Sequence, residues 1–432
     1  MNPLKPVLVP LKAKGGTAVI RRGLRILQRY GPTPGKMDSI LGQFVDLLAQ
    51  FNCRGTFPIT ASVLARNPAV IRRYQEAGTE FAIHGLHHVD YSRLTLAEQK
   101  QHLAQAAGIF RQAGVDFAGF RCPYLRWNRD TLQALRETGL RYDSSQALVW
   151  DVAGQFETPA YHRVQAFYRA VSADQHPSLP EIEAGLVRLP YAIPDDESLA
   201  DRLHLAGSPA AMTGLWLAVL EKVHHLGEMF VLGLHPERFD LCRQPLEETL
   251  RQATAPGANV WTATLRQISD WWLARAGTRL QITQAGPGRY QVICTGGPDG
   301  LVVLARKAQV TAETRAGENG YRQVQAAEFT LLSDRHPVVG VSNRTPPVLV
   351  AYLRQMGYPV ETATDPAAYS VYLDRPDFGP EDRRALLAQV EQADGPLVKL
   401  ARWPNAASCA LAVSGDIDAL TVFDYAIRAW GK

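Results

Sequence analysis

Short apolar runs alternate with amphipathic stretches from about residue 36 to residue 275. The stretch from Met37 to Phe51 has apolar residues at helical spacing, and the strand-like runs GTFPIT and EFAIH follow it on either side of another helical stretch. The alternation continues through DFAGFR, a helix over 129–137, LVRLPYA, a helix over 210–226, the apolar run MFVLGLH and the closing helix TATLRQISDWWLARA. This pattern predicts an α/β layer or barrel fold.

The pattern changes near residue 277. The runs LQITQ, RYQVICT, LVVLARK and AEFTLL are separated by Gly-rich or charged turns, which is typical of a small antiparallel β unit. Residues 336–400 then predict strand, helix, strand, helix and strand. Beyond them, the apolar run CALAVS leads into two acidic residues, and LTVFDYAIRAWG predicts a final helix.

Composition limits the function classes. A chain of 432 residues with 46% hydrophobic and 20% charged residues is expected to form two or three globular domains. A net charge of +4 without any Lys/Arg-rich run argues against nucleic acid as a partner. No apolar run reaches about eighteen residues, so no membrane-spanning helix is expected. The first thirty residues lack the apolar core of a secretory signal, and we expect a cytoplasmic protein with five free cysteines.

Two histidines stand directly after a predicted strand. His84 and His88 are four residues apart in HGLHHVDYS, and a helical turn there would direct both imidazoles to one point, as a divalent metal requires. A surface loop whose imidazoles bind backbone groups is the alternative. The runs FRCPYLRWN, YDSS and LGLHPERF also place polar groups after apolar strands, where barrel enzymes carry their sites. We interpret IPDDE, residues 193–197, as a helix N-cap with acids in its first turn.

These motifs resemble, in order and spacing, the second to fifth motifs of the polysaccharide deacetylase (NodB-homology) family: His84 with His88, Arg121 to Tyr124, Asp143 to Ser145, and Leu234 with His235. The resemblance covers roughly residues 36–275. It implies a deformed (β/α) barrel and a metal-dependent hydrolase of non-peptide C–N bonds, with an acetamido group on a sugar as the expected substrate.

The first motif of that family, an acidic pair, is expected ahead of GTFPIT. The acidic residues before Thr56 are Asp38 and Asp46, both in an amphipathic helical pattern. The C-terminal run WPNAASCALAVSGDIDA is similar to the missing motif and offers Asp416 and Asp418. We therefore predict a circular permutation in which residues 1–276 carry motifs two to five, 277–400 form an inserted α+β domain, and 401–432 complete the barrel. A loop acid pair or a truncated second copy is the alternative.

The resemblance implies a role for each motif residue. His84, His88 and Asp418 would hold one divalent metal, with zinc expected and cobalt, nickel or iron also suited to two imidazoles and a carboxylate. The remaining roles are a general base (Asp416), a cation that orients it (Arg121), a backbone N–H for the oxyanion (Tyr124), a general acid (His235), and an acceptor for His235 or Arg121 (Asp143). For Asp143, a turn closed by Asx-type hydrogen bonds is the alternative.

Two other functions stay open from sequence. Related enzymes hydrolyse other amides, so an allantoinase-like or cyclic-amide hydrolase is one alternative. A metal-free deacetylase-like protein that binds carbohydrate or a partner protein is the other. The expected partners are a carbohydrate or small amide, with neither nucleic acid nor membrane. A homo-oligomer that exchanges the C-terminal strand between two chains also stays open.

Overall fold

The computed structural model describes residues 29–430, and side chains are described as far as residue 427. The outer ends of the predicted segments 1–276 and 401–432 lie outside the described residues. Up to residue 276 the helices are α1 (Gly35–Gln50), α2 (Ala61–Arg66), α3 (Pro68–Glu76), α4 (Leu96–Gln112), α5 (Arg129–Glu137), α6 (Pro159–Tyr168), α7 (Pro209–Leu226), α8 (Phe239–Ala253) and α9 (Leu265–Ala276).

Eleven strands are described in the same part of the chain, some of them in succession and others separated by these helices. They are β1 (Gly55–Ile59), β2 (Glu80–Ile83), β3 (Gly119–Phe120), β4 (Tyr142–Asp143), β5 (Ala147–Val149), β6 (Val171–Ser172), β7 (Glu181–Glu183), β8 (Leu186–Arg188), β9 (Tyr191–Ile193), β10 (Met229–Leu234) and β11 (Val260–Thr262). Every residue of β1, β2 and β10 is buried, which is why these strands read as continuous apolar runs and not as alternating ones.

Residues 277–400 form smaller sheets beside this unit. Their elements are β12 (Arg279–Gly286), β13 (Arg289–Thr295), β14 (Val303–Arg306), β15 (Gln309–Val310), β16 (Thr314–Ala316), β17 (Tyr321–Val324), β18 (Glu328–Leu332), β19 (His336–Val341), α10 (Pro347–Gln355), β20 (Val360–Thr362), β21 (Tyr369–Leu373), α11 (Arg383–Gln392) and β22 (Leu397–Leu400). The strands pair in the orders β12-β13-β18-β15, β16-β17-β14-β22 and β20-β19-β21.

The two antiparallel sheets share a small core of their own, which includes Val292, Val303 and Leu331. The parallel strands β19 to β21 and helices α10 and α11 pack instead into the large core of the chain. The division at residues 276 and 400 stays a prediction.

The last described elements are β23 (Cys409–Gly415) and α12 (Val422–Trp430). Strand β23 lies inside the main nine-stranded sheet, whose order is β10-β23-β1-β2-β3-β4-β8-β7 with β11 also on β23. It runs parallel to β10 from Met229 opposite Ala410 to Leu234 opposite Gly415, and parallel to β1 at Gly55 and Thr56. The last described strand is therefore an interior strand of the sheet formed by the first half of the chain.

The predicted α/β fold with a deformed (β/α) barrel is confirmed, and the main sheet is a curled half-barrel. Between residues 29 and 430, no helix is both long enough and apolar enough to cross a bilayer. The five cysteines form no disulfide, as predicted, and four of them are buried.

Candidate active site

Polar side chains gather at one edge of the main sheet. Strands β2, β3, β4, β10 and β23 are parallel, so their carboxyl ends meet at this edge. The residues that follow the strand ends include His84, Arg121, Ser144, His235 and Asp416. Five separate stretches of the chain thus place polar side chains at one edge of the sheet. The last of these residues, Asp416, lies nearly 300 residues from Arg121 in sequence.

The predicted helical turn between His84 and His88 is wrong. The chain bends after β2 without forming a helix, because Gly85 has a φ of 82° in the left-handed region. Tyr91 fixes the bend, since its hydroxyl accepts a hydrogen bond from the N–H of Leu86. The two imidazoles nevertheless converge, with ring centroids 5.2 Å apart.

Asp418 completes a three-residue cluster with these histidines. Its Oδ1 lies 3.4 Å from Nε2 of His84 and 3.2 Å from Nε2 of His88, and all three side chains are buried. Ligand atoms at about 2.05 Å from a tetrahedral zinc ion lie about 3.3 Å apart, so the donor set fits a metal of this size. His84 Nδ1 donates to the carbonyl of Arg121 at 2.9 Å, which leaves Nε2 as its ligand atom.

Asp416 is held beside this cluster by a buried guanidinium. Arg121 Nη1 donates to Asp416 Oδ1 at 2.7 Å and to the hydroxyl of Ser414 at 2.9 Å. Its Nε and Nη2 donate to the carbonyl and hydroxyl of Ser144, both at 3.0 Å. The ring of Tyr191 lies under the guanidinium at 4.7 Å. Arg121 is fully buried, so its orientation and that of Asp416 are fixed by packing as well as by charge.

Tyr124 lies in a tight turn at the same edge. It has a φ of 59° and the following Leu125 has a φ of 55°, both in the left-handed region that favours glycine. Backbone held in this region by non-glycine residues is strained and is common at functional sites. The ring of Tyr124 packs edge-on against His88 at 4.3 Å, which places this turn next to the histidine cluster.

His235 lies at the end of β10, beside the cluster, and pairs with Asp196. The sequence pattern predicts a helix N-cap at Asp196 instead. Asp196 accepts from His235 Nδ1 at 2.8 Å and from its backbone N–H at 2.6 Å. Burial alone would lower the pKa of His235, but the charge and hydrogen bond of Asp196 raise it well above its ordinary value. The cap interpretation fits Asp195, which accepts from the N–H of Ser198, and is wrong for Asp196.

Asp143 has other partners than the predicted ones. Its carboxylate accepts from Arg188 Nε at 3.0 Å and from the hydroxyl of Ser145, and Ser145 in turn accepts from the N–H of Cys122 at 2.8 Å. It therefore supports the backbone that precedes Tyr124, and the expectation that it binds His235 or Arg121 is corrected. The side chains pair this way because Arg188 lies directly opposite Asp143 in the β4–β8 ladder.

A cavity of about 260 Å³ opens over these groups. Its polar floor is formed by His84, His88, His235, Asp416 and Asp418. Its walls come from the turn at residues 124–125, from helix α6 and from the segment 191–202. Sequence motifs mark the floor residues, but no motif marks α6, which supplies Val164, Phe167 and Tyr168 to the wall.

Comparisons with known proteins find similarity over part of the chain. Residues 31–142 match the family model described as polysaccharide deacetylase. The chitooligosaccharide deacetylase of Bradyrhizobium sp. (strain ANU 289) is 31% identical over 112 residues, which are 26% of this chain and 49% of that protein. The bifunctional xylanase/deacetylase of Pseudobutyrivibrio xylanivorans is 29% identical over 97 residues, 22% of this chain and 16% of that protein.

A comparison with solved structures finds partial similarity. A Mycobacterium smegmatis protein assigned to the polysaccharide deacetylases has a TM-score of 0.43 at 26% identity, over 60% of this chain and 84% of that one. The chain thus matches about half the length of the chitooligosaccharide deacetylase and less of the bifunctional enzyme. By sequence over residues 31–142, this chain resembles the polysaccharide deacetylases.

Proposed function

We propose that the protein is a metal-dependent deacetylase that hydrolyses the acetamido group of an N-acetylated sugar. The proposal rests on one observation. The cluster of His84, His88 and Asp418 lies on the same cavity floor as two further polar groups. Those groups are a carboxylate held by a buried arginine, Asp416, and an imidazole held by a buried carboxylate, His235.

The two histidines and Asp418 would hold one divalent cation, for which zinc suits the mixed nitrogen and oxygen donors and cobalt, nickel and iron are alternatives. When bound, the cation supplies Lewis-acid polarisation of the amide carbonyl and lowers the pKa of water. In this proposal Asp416 and Asp418 stand in for the acidic pair that the family carries ahead of β1. Their position directly after β23, a strand that pairs with β1, supports a circular permutation of the family order.

Asp416 acts as the general base. Its carboxylate takes a proton from the attacking water, and the water oxygen bonds to the carbonyl carbon. Arg121 stabilises the ionised carboxylate through their 2.7 Å contact and keeps it from turning toward solvent. The backbone N–H of Tyr124, aimed by the strained turn, would stabilise the oxyanion that forms on the carbonyl oxygen.

His235 acts as the general acid. Its Nδ1 is held by Asp196, so Nε2 is the atom that delivers a proton to the departing nitrogen as the C–N bond breaks. The raised pKa favours the protonated imidazole, which suits an acid. The products are acetate and the free amino sugar.

A soluble substrate of one or a few sugar rings is favoured over a long polymer. The cavity of about 260 Å³ lies at the small end of the range for ligand pockets and is walled by α6 and the segment 191–202. The curated deacetylase relative is named for chitooligosaccharides, which is a substrate class of this kind. Action in the cytoplasm and exchange of the C-terminal strand between subunits stay predictions.

Acetate release from N-acetylglucosamine and its short oligomers tests the proposal, with allantoin and hydantoin as competing substrates. We expect release of acetate that is lost after chelation and restored by a divalent cation. His235→Ala should reduce the rate by about 10²–10⁴-fold, while His162→Ala, which removes an exposed imidazole on α6, should not. Hydrolysis of the ureides alone would favour the allantoinase-like alternative, and sugar binding without hydrolysis would favour the binding-protein alternative.

A further inference from the structure

A second cavity, of about 380 Å³, lies away from the sheet edge that carries the candidate active site. Its walls come from the end of α7, from β14 and β17, from α11 and β22, and from residues 401–408 that lead into β23. It therefore lies where the segment 277–400 meets the main sheet. None of the residues assigned a role in deacetylation lines it.

Positive charge exceeds negative charge along one wall. Glu391 is the shared partner of Lys399, at 2.5 Å, and of Arg306, at 3.6 Å. It also accepts hydrogen bonds from the hydroxyls of Tyr321 and Tyr358. One carboxylate thus balances two cations, of which Lys399 lines the cavity and Arg306 lies outside its lining. A further cation lines the same wall.

That further cation is Arg402. Its Nη1 donates to the carbonyls of Leu226 and Gly227, at 2.8 and 3.2 Å, while its buried Nε has no hydrogen-bond partner. Within residues 29–430 it forms no ion pair, because the neighbouring carboxylate of Glu228 is bound by both ends of the Arg384 guanidinium. The guanidinium of Arg402 therefore lies in the cavity as a cation, and its Nε–H is available to donate to a ligand.

The electrostatics of Lys399 agree with an excess of positive charge. Burial is the main cause that lowers the pKa of Lys399, to about 8. The charges of Arg402 and Arg306 lower this pKa further, whereas Glu391 raises it. Cations that repel one another in a buried place are stabilised by an anion between them. Two other acids line the cavity: Glu228 is paired with Arg384, and Glu318 is exposed at the rim and bonds to Ser408.

We propose that this cavity binds a small organic oxyanion, a carboxylate or phosphate compound, through Arg402 and Lys399. Arginine presents a planar fork of donors that matches the oxygens of either group. The ring of Tyr321, which lies 4.3 Å from the Lys399 ammonium, and the side chain of Leu387 give the rest of the ligand an apolar surface. A ligand bound there also touches Ala406 to Ser408, the lead-in to the strand that carries Asp416.

Isothermal titration of the full-length protein with inorganic phosphate, and separately with succinate, tests the proposal. We expect saturable binding of at least one of the two, and the stronger one identifies the oxyanion class. Arg402→Gln should weaken it by about tenfold or more, the loss expected for one charge-assisted contact. Arg289→Gln, which removes an exposed arginine on β13, should leave it unchanged.

Two further variants keep the test decisive. Ala388→Phe fills the cavity from the partly exposed face of α11 without removing a charge, and it should abolish binding even if Arg402→Gln does not fold. Asp418→Ala should leave binding intact, which separates this cavity from the active-site cluster. The proposal is overturned if neither anion binds the wild type, if binding survives Ala388→Phe, or if it is lost in Asp418→Ala.

Discussion

Replacing Asp196 by asparagine tests the role of the pair that it forms with His235. The substitution keeps the shape of the side chain and removes its charge. Asp196 makes two short contacts to His235, at 2.6 and 2.8 Å, and the amide can reproduce one acceptor but not the charge. A hydrogen bond to a charged group is worth about 1.5–3 kcal/mol. If the imidazolium is the proton donor, the rate of acetate release should fall by about 10- to 150-fold.

The pH profile of the same variant separates catalysis from folding. Asp196 raises the pKa of His235, so in the wild type the acid is lost only as pH rises through that raised value. In Asp196→Asn the alkaline fall in rate should begin at lower pH. Asp201→Asn, which loses a nearby half-exposed carboxylate that pairs with Arg238, is the matched control. An unchanged alkaline limb in Asp196→Asn, with normal thermal unfolding, would refute the assignment of His235 as acid.

Two further predictions concern the base and the packing beneath it. Asp416→Asn should reduce acetate release by about 10²–10⁴-fold with unchanged metal content, and a variant retaining more than a tenth of the activity would exclude Asp416 as the base. Gly233→Ala should lower the free energy of unfolding in urea by about 1–3 kcal/mol or more, because its Cβ would overlap the ring of Tyr191 under Arg121. Gly108→Ala has open space in helix α4 and should raise the stability by up to about 1 kcal/mol, so equal effects of the two substitutions would contradict this packing.

Much of the site could be predicted because its residues follow apolar strands. The runs ending in His84, Arg121, His235 and Asp416 are each buried on both faces, so the sequence marks the strand and the polar residue beyond it. Parallel pairing then brings these strand ends together, whatever their distance along the chain. The predicted permutation requires the C-terminal apolar run to pair within this sheet, and β23 pairs between β10 and β1.

The partner of His235 could not be predicted from local pattern. Asp195 and Asp196 are adjacent acids before a helical turn, and either could cap it. The backbone turns Asp195 toward Ser198 and Asp196 toward the end of β10, 39 residues further along the chain. One sequence signal could have indicated this pair. It consists of two adjacent carboxylates and a later buried strand that ends in a histidine.

The bend at Gly85 and helix α6 were missed for different reasons. A four-residue spacing of histidines suggests a helical turn, but a glycine at φ 82° gives the same convergence through a loop. Helix α6 carries no motif, and its contribution to the cavity depends on where the chain packs it. The choice of Arg188 as the partner of Asp143 likewise follows from strand register, which sequence does not specify.

Metal content is the most direct test of the site as a whole. Elemental mass spectrometry on the purified wild type should find about one divalent metal per chain, and His84→Ala and Asp418→Ala should both lose it. Asp240→Ala, which removes an exposed acid at the start of α8, should retain it. If Asp418→Ala keeps its metal while His84→Ala does not, the C-terminal strand supplies no ligand and the permuted site is contradicted.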